Sequence, residues 1–152
     1  RPVAYRTCKG ERPMPDELRR HIRDEPAPDE ATVVVRGGPD NLTKFARHAM
    51  RTGRAYVLDG EPLLGVSVFL ALDDAGPASL DGLLSGRMET YRVVYTASVA
   101  DVREAGFGLL ATFGRPHYTL ILPDTSQSTL GTVAAALGPA AANPYHLTRR
   151  RR

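Results

Sequence analysis

Hydrophobic positions along the chain recur with two different periods, and each change of period marks an element. In "ATVVVRGG" the β-branched run Thr32 to Val35 predicts a buried strand, ended by Gly37, Gly38 and Pro39. In "DNLTKFARHAMRT" the spacing switches to helical: Leu42, Phe45, Ala46 and Ala49 form an inward face. Asp40 or Asn41 is positioned to cap the first turn and Gly53 to stop the helix. Lys44, Arg47, His48 and Arg51 fall at i, i+3, i+4 and i+7, so they share the opposite face.

Two strand-like runs follow, Ala55–Leu58 and Leu64–Leu72, with a turn at Asp59-Gly60 between them. "ASLDGLLSG" predicts a short helix. "TYRVVYTAS" predicts a strand with Tyr91, Val93 and Tyr95 alternating against Arg92 and Val94. "ASVADVREAG" suits one or two helical turns, and "FGLLATFG" suits a further strand. "RPHYTLILP" is another strand, and "SQSTLGTVAAALG" a helix ending at Gly138. "AANPYHLT" reads as a loop leading to a short last strand. Helices and strands alternate irregularly, which predicts an α+β fold: a single compact domain with a mixed or antiparallel sheet and two to four helices. The expected layout is an N-terminal extension over 1–30 with a short helix in "DELRRHIRDE", an α+β domain over 31–148, and a basic tail over 149–152.

Charge changes this picture only at one end. The net charge is +3 over 152 residues, but Arg149 to Arg152 carry +4, so the rest of the chain is at −1. The basic pI therefore describes a tail, not a basic domain. Through charge alone such a tail can touch RNA, another nucleic acid or an acidic protein partner such as an antitoxin. Cys8 is the one cysteine, which rules out an intrachain disulfide and makes a reducing, cytoplasmic setting the expectation. No run reaches the ~20 apolar residues of a membrane helix, so no membrane association is expected.

Strand alternation supplies the first candidate chemistry. His117, Thr119 and Ile121 point one way, and Tyr118, Leu120 and Leu122 the other. A histidine beside a hydroxyl pairs a proton carrier with a phosphate donor. The same spacing recurs in "HLT", His146 to Thr148. Over residues 115–148 this pattern resembles the two-histidine phosphoesterases and RNA 2′,3′-cyclic phosphodiesterases, which carry two His-x-Thr/Ser motifs on neighbouring strands. The resemblance implies acid–base cleavage by His117 and His146, with Thr119 contacting phosphate and neither metal nor other cofactor. The chain departs from that pattern in spacing, with His146 only 29 positions after His117.

The second candidate is the turn after the first strand. Glycines admit an anion to the backbone, a helix N-terminus presents unpaired N–H groups, and arginine grips phosphate. Arg36, Gly37 and Gly38, extended by Arg47, His48 and Arg51, are thus phosphate-binding candidates. A first strand ending in Arg-Gly also resembles ADP-ribosyltransferases. That resemblance implies that Arg36 holds NAD, that "LLGVSVF" with Ser67 is the middle element, and that "RPHYTLILP" is the late strand. No glutamate stands in or beside that late strand, and the last acidic residue is Asp124. Tyr91, Arg92 and Tyr95 form a possible stacking platform for a base. Ser67 lacks a Gly-x-Ser-x-Gly setting and reads as structural. Together these features lead to a small toxin-like protein that engages RNA or nucleotide phosphate, with phosphodiester cleavage as the leading activity. The alternatives are an NAD-using transferase and a non-enzymatic binding subunit.

Overall fold

The computed structural model describes residues 18–38 and 41–146. Residues 1–17, Asp40, Thr148 and the Arg149–Arg152 tail lie outside that range. Within it, β1 (Thr32–Arg36), β4 (Gly65–Ala71), β5 (Val93–Ser98), β6 (Gly108–Ala111), β7 (His117–Ile121) and β8 (Ala141–Ala142) form one sheet. Its order is β6-β7-β4-β1-β5-β8, and all of its pairings are antiparallel. A two-strand ribbon, β2 (Val57–Leu58) and β3 (Glu61–Pro62), turns at Asp59-Gly60, where both residues take positive φ. Four α-helices complete the described residues: α1 (Asn41–Ala55), α2 (Leu80–Ser85), α3 (Val99–Glu104) and α4 (Gln127–Leu137). The fold is α+β in a single compact domain.

Alternation along the strands divides the sheet between two cores. Val33 and Val35 of β1, Val68 and Leu70 of β4, and Tyr118 and Leu120 of β7 point to one face. There they pack against Phe45 and Ala49 of α1, Val99 and Val102 of α3, and Leu130, Val133 and Leu137 of α4. Burial of this kind is worth about 1.5–3 kcal/mol for each large apolar side chain. The opposite face is covered only in part. Leu83 and Leu84 of α2, with Met88 just beyond it, close over Val34 and Val94, with Phe69, Ala71 and Tyr91 at the margin. A six-residue helix cannot span the whole face, so the β4–β7 end, with Ser67, His117 and Thr119, stays open to a cavity.

Four details differ from the sequence reading. Residues 18–30 belong to the domain body: Leu18 and Ala27 are buried, and Ile22 bridges to Thr112. The helical part of this segment is a single 3-10 turn, Leu18–His21. α1 continues through Gly53 to Ala55: Gly53 does not take the positive φ of a helix stop, and it lies against Leu64, where a Cβ would stand 3.0 Å from Cδ2. The last strand, β8, precedes "NPYH" and does not follow it. Ser79, Ser98 and Ser126 cap α2, α3 and α4, each accepting a backbone N–H three residues ahead.

Candidate functional site

Sheet register assembles the site from residues far apart in sequence. β4 pairs with β7 so that Ser67 faces Thr119 and Phe69 faces His117. β6 pairs with β7 so that Leu110 faces Thr119, and the hairpin continues with the Thr112 N–H donating to the His117 carbonyl at 3.3 Å. β1 and β4 pair only as far as Val34↔Phe69, and beyond that pair Arg36 and Ser67 line one cavity with Phe69. Arg36, Ser67, Phe69, His117, Thr119 and Thr112 therefore share the partly covered face.

His117 is held at both ring nitrogens. Nδ1 lies 3.2 Å from the Thr112 carbonyl oxygen and 3.1 Å from Thr112 Oγ1. Nε2 lies 2.6 Å from Ser67 Oγ. A carbonyl can only accept, so the tautomer that satisfies it carries its proton on Nδ1. Nε2 is then the acceptor, and Ser67 donates its hydroxyl proton to it. Thr112 is fully buried, and its Oγ1 also bonds Thr119 Oγ1 at 2.8 Å. The Arg23 guanidinium locks the hairpin from behind, donating from Nη1 to the carbonyls of Thr112 and His117, each at 2.9 Å. Phe69 and Phe113 meet the imidazole edge-on at 5.4 and 5.5 Å.

His48 lies beside this pair. Its Nδ1 is 3.0 Å from Arg51 Nη2, and a guanidinium only donates, so Nδ1 accepts and Nε2 carries the proton. The two histidines thus present opposite functions, His117 an acceptor and His48 a donor. Burial holds both below the ordinary value of 6.5. For His117 the hydrogen bond to the Thr112 carbonyl works against burial, while the charges of Arg87 and Arg23 add to it. For His48, the charges of Arg51, Arg36 and then His117 act in the same direction as burial. The charged side chains that bear on these imidazoles are all cationic, an environment suited to an anion.

Two adjoining cavities open here. One, of about 270 Å³, is lined by His48, Tyr56, Ser67, Phe113, His117 and Thr119 among others. The other, of about 240 Å³, is lined by Arg36, His48, Ser67, Phe69, Met88 and Tyr91 among others. Ser67 and His48 border both, so the two form one groove, with Arg36, Phe69 and Tyr91 at one end and Tyr56 and Phe113 at the other. Phe113 stacks on His21 at 4.8 Å and holds a positive φ of 58°, a conformation bulky residues rarely adopt.

The residues singled out from sequence are thus divided. His117, Thr119, Arg36 and His48 converge on the groove. Thr119 is buried with its hydroxyl bonded to Thr112. His146 does not join His117: it follows β8 at the far edge, four strand spacings from β7, roughly 19 Å at the usual spacing. The Gly37 N–H donates to the Val93 carbonyl at 3.0 Å and so is engaged in the sheet. Gly38 borders a separate cavity with Asn41 and Tyr95. Arg51 acts through His48, while Arg47 is exposed and lines neither cavity. Tyr91 and Tyr95 pack on different clusters and form no common platform. Ser67, structural by its sequence setting, stands instead in hydrogen-bond contact with the site's imidazole. Arg23 and Arg87 carried no sequence signal at all.

Among the described residues, no group of three or more His, Cys, Asp and Glu is placed to hold a metal ion. No helix among them is long and apolar enough to cross a membrane. Comparison with protein-family models, with curated proteins and with solved structures finds no match to this chain.

Proposed function

We propose that the chain engages RNA or nucleotide phosphate in the groove between Arg36 and Phe113 and cleaves a phosphodiester there. The carrying observation is the His117 imidazole, tied at Nδ1 to Thr112 and presenting Nε2 to a hydroxyl at 2.6 Å. A neutral imidazole fixed in this way is equipped to take the proton of an attacking hydroxyl. Arg36 and the Nε2–H of His48 supply positive charge and a donor for phosphate oxygens. Tyr56 and Phe113 supply faces on which a base can stack. Cleavage of this kind suits a small toxin-like protein, whose partner would be an acidic antitoxin.

The test is turnover of RNA oligonucleotides and of cyclic nucleotide phosphates. His117→Ala should lower the rate by about 10²–10⁴-fold, the usual worth of a general acid or base. Circular dichroism should show the fold intact. In this mechanism His117 and a hydroxyl carry the proton transfer, so a chelator should leave turnover unchanged. Turnover that survives His117→Ala would reduce the strand to one with a polar face.

One observation favours a second reading. β1, β4 and β7 are neighbours, so Arg36, Ser67 and the His117–Thr119 strand lie in the order that the ADP-ribosyltransferase resemblance implies. The described residues that line the groove include no carboxylate. Release of nicotinamide from NAD, abolished in Arg36→Ala, would support that reading over phosphodiester cleavage.

A further inference from the structure

We infer that Ser67 is a nucleophile and that the reaction passes through a covalent seryl phosphodiester, with the remaining nucleotide esterified to Ser67 Oγ. This deepens the reading of the groove as a phosphodiester site and rests on it. Three observations bring the inference to Ser67. Its hydroxyl is 2.6 Å from His117 Nε2, the nitrogen left as an acceptor by the Thr112 carbonyl. Its side chain stands on the wall of both cavities, exposed to whatever enters them. It stands opposite Thr119 in the β4–β7 register and shares a cavity wall with Arg36. A nucleophile (Ser67), a base (His117) and a group that orients the base (Thr112) are therefore linked by hydrogen bonds in that order.

The step balances on these groups. Ser67 Oγ attacks phosphorus and its proton passes to His117 Nε2. The bond from phosphorus to the leaving nucleoside oxygen breaks, and that oxygen takes the proton from the imidazolium. Water then attacks phosphorus of the seryl phosphodiester and gives a proton to His117, and the Oγ–phosphorus bond breaks as Ser67 Oγ takes that proton back from the imidazolium, releasing a phosphate monoester. No 2′-hydroxyl takes part, so the substrate class widens from RNA to any exposed phosphodiester, DNA included.

The test uses a fluorophosphonate, which forms the same Oγ–phosphorus bond with fluoride as the leaving group. The intact chain should be labelled at Ser67, as mapped by peptide mass spectrometry. His117→Gln should slow that labelling by about 10²-fold or more. Should His117→Gln fail to fold, the pH dependence of labelling in the unmodified chain serves instead: a rate that rises through one inflection supports the histidine as base, and a flat profile overturns it. Label at other residues only, or a Ser67 rate indifferent to His117→Gln, would also overturn the inference. Oligonucleotide cleavage separates the two levels. RNA cut by Ser67→Ala, with DNA left uncut by either form, leaves the phosphodiester reading standing and assigns attack to the ribose. Labelling at Ser67 with neither RNA nor DNA cut keeps the nucleophile and removes the nucleic-acid substrate.

Discussion

His117 shows how a single side chain acquires chemistry from what surrounds it. Burial holds it below 6.5, so its neutral, proton-accepting form persists to lower pH than that of a free imidazole. The acid limb of kcat/KM, which reports the free protein, should therefore have its inflection below pH 6.5. An inflection above that value would mean that something other than this histidine limits the reaction. Stability follows the same linkage. With a folded value depressed below the unfolded one, both states are neutral above about pH 6.5 and the contribution of His117 is constant there. As pH falls through the unfolded value, the unfolded chain takes up the proton first, and stability declines until the folded value is passed. Urea midpoints between pH 8 and pH 5 should fall in the acid half of that window, and His117→Gln should flatten the decline, leaving the part due to His48.

Gly65 is a second residue-scale determinant. A Cβ there would overlap Thr119 Cγ2 on the neighbouring strand. Gly65→Ala should cost about 1–3 kcal/mol in urea unfolding, the usual penalty for overpacking. Thr119→Ser removes the overlapping methyl, so in that background Gly65→Ala should cost much less. Equal penalties in both backgrounds would mean that the strand pair shifts as a unit.

At the scale of elements, the β6–β7 hairpin is the support of the site. Its turn is braced twice, in unequal ways. Arg115 forms a bidentate pair with Asp73 at 2.9 and 3.0 Å and also meets Glu25 at 2.9 Å, all with substantial exposure. Such pairs are screened by water and contribute little. Arg23 is less exposed, and it satisfies the carbonyls of both Thr112 and His117. Hydrogen bonds to a charged group are worth about 1.5–3 kcal/mol. Arg23→Ala should therefore lower stability by about that amount and reduce kcat by loosening the Thr112–His117 contact, while Arg115→Ala should leave kcat almost unchanged. Equal effects of the two variants on kcat would assign the bracing to the turn as a whole.

At the scale of the whole molecule, the site exists because one sheet face is only half covered. α2 seals the Val34–Val94 region, while α1 contributes His48 to the edge of the uncovered part. Arg149–Arg152 add the net positive charge that the rest of the chain, at −1, lacks. On a polyanion they release counterions, so removing Arg149–Arg152 should weaken RNA binding and make its log–log salt slope shallower by roughly 3. An unchanged slope in the truncated chain would separate the tail from nucleic-acid binding.

What the sequence determined by itself is local. Period-two alternation placed His117 and Thr119 on one face of a strand, and helical spacing placed His48 opposite Phe45 and Ala49, because these geometries follow from backbone repeat alone. The α+β class followed from the order of such elements. Only the tertiary structure decided which strands are neighbours. Ser67 and His117 are 50 residues apart, and no local pattern states that β4 lies between β1 and β7. That order is set by how the inner faces of β1, β4, β5, β6 and β7 pack beneath α1, α3 and α4, a collective property of the core. For the same reason the repeated His-x-Thr spacing paired His117 with His146 only on paper. The fold sends His146 to the opposite edge of the sheet and brings His48 to the groove instead, and it turns a serine with no sequence motif into the nearest partner of the imidazole.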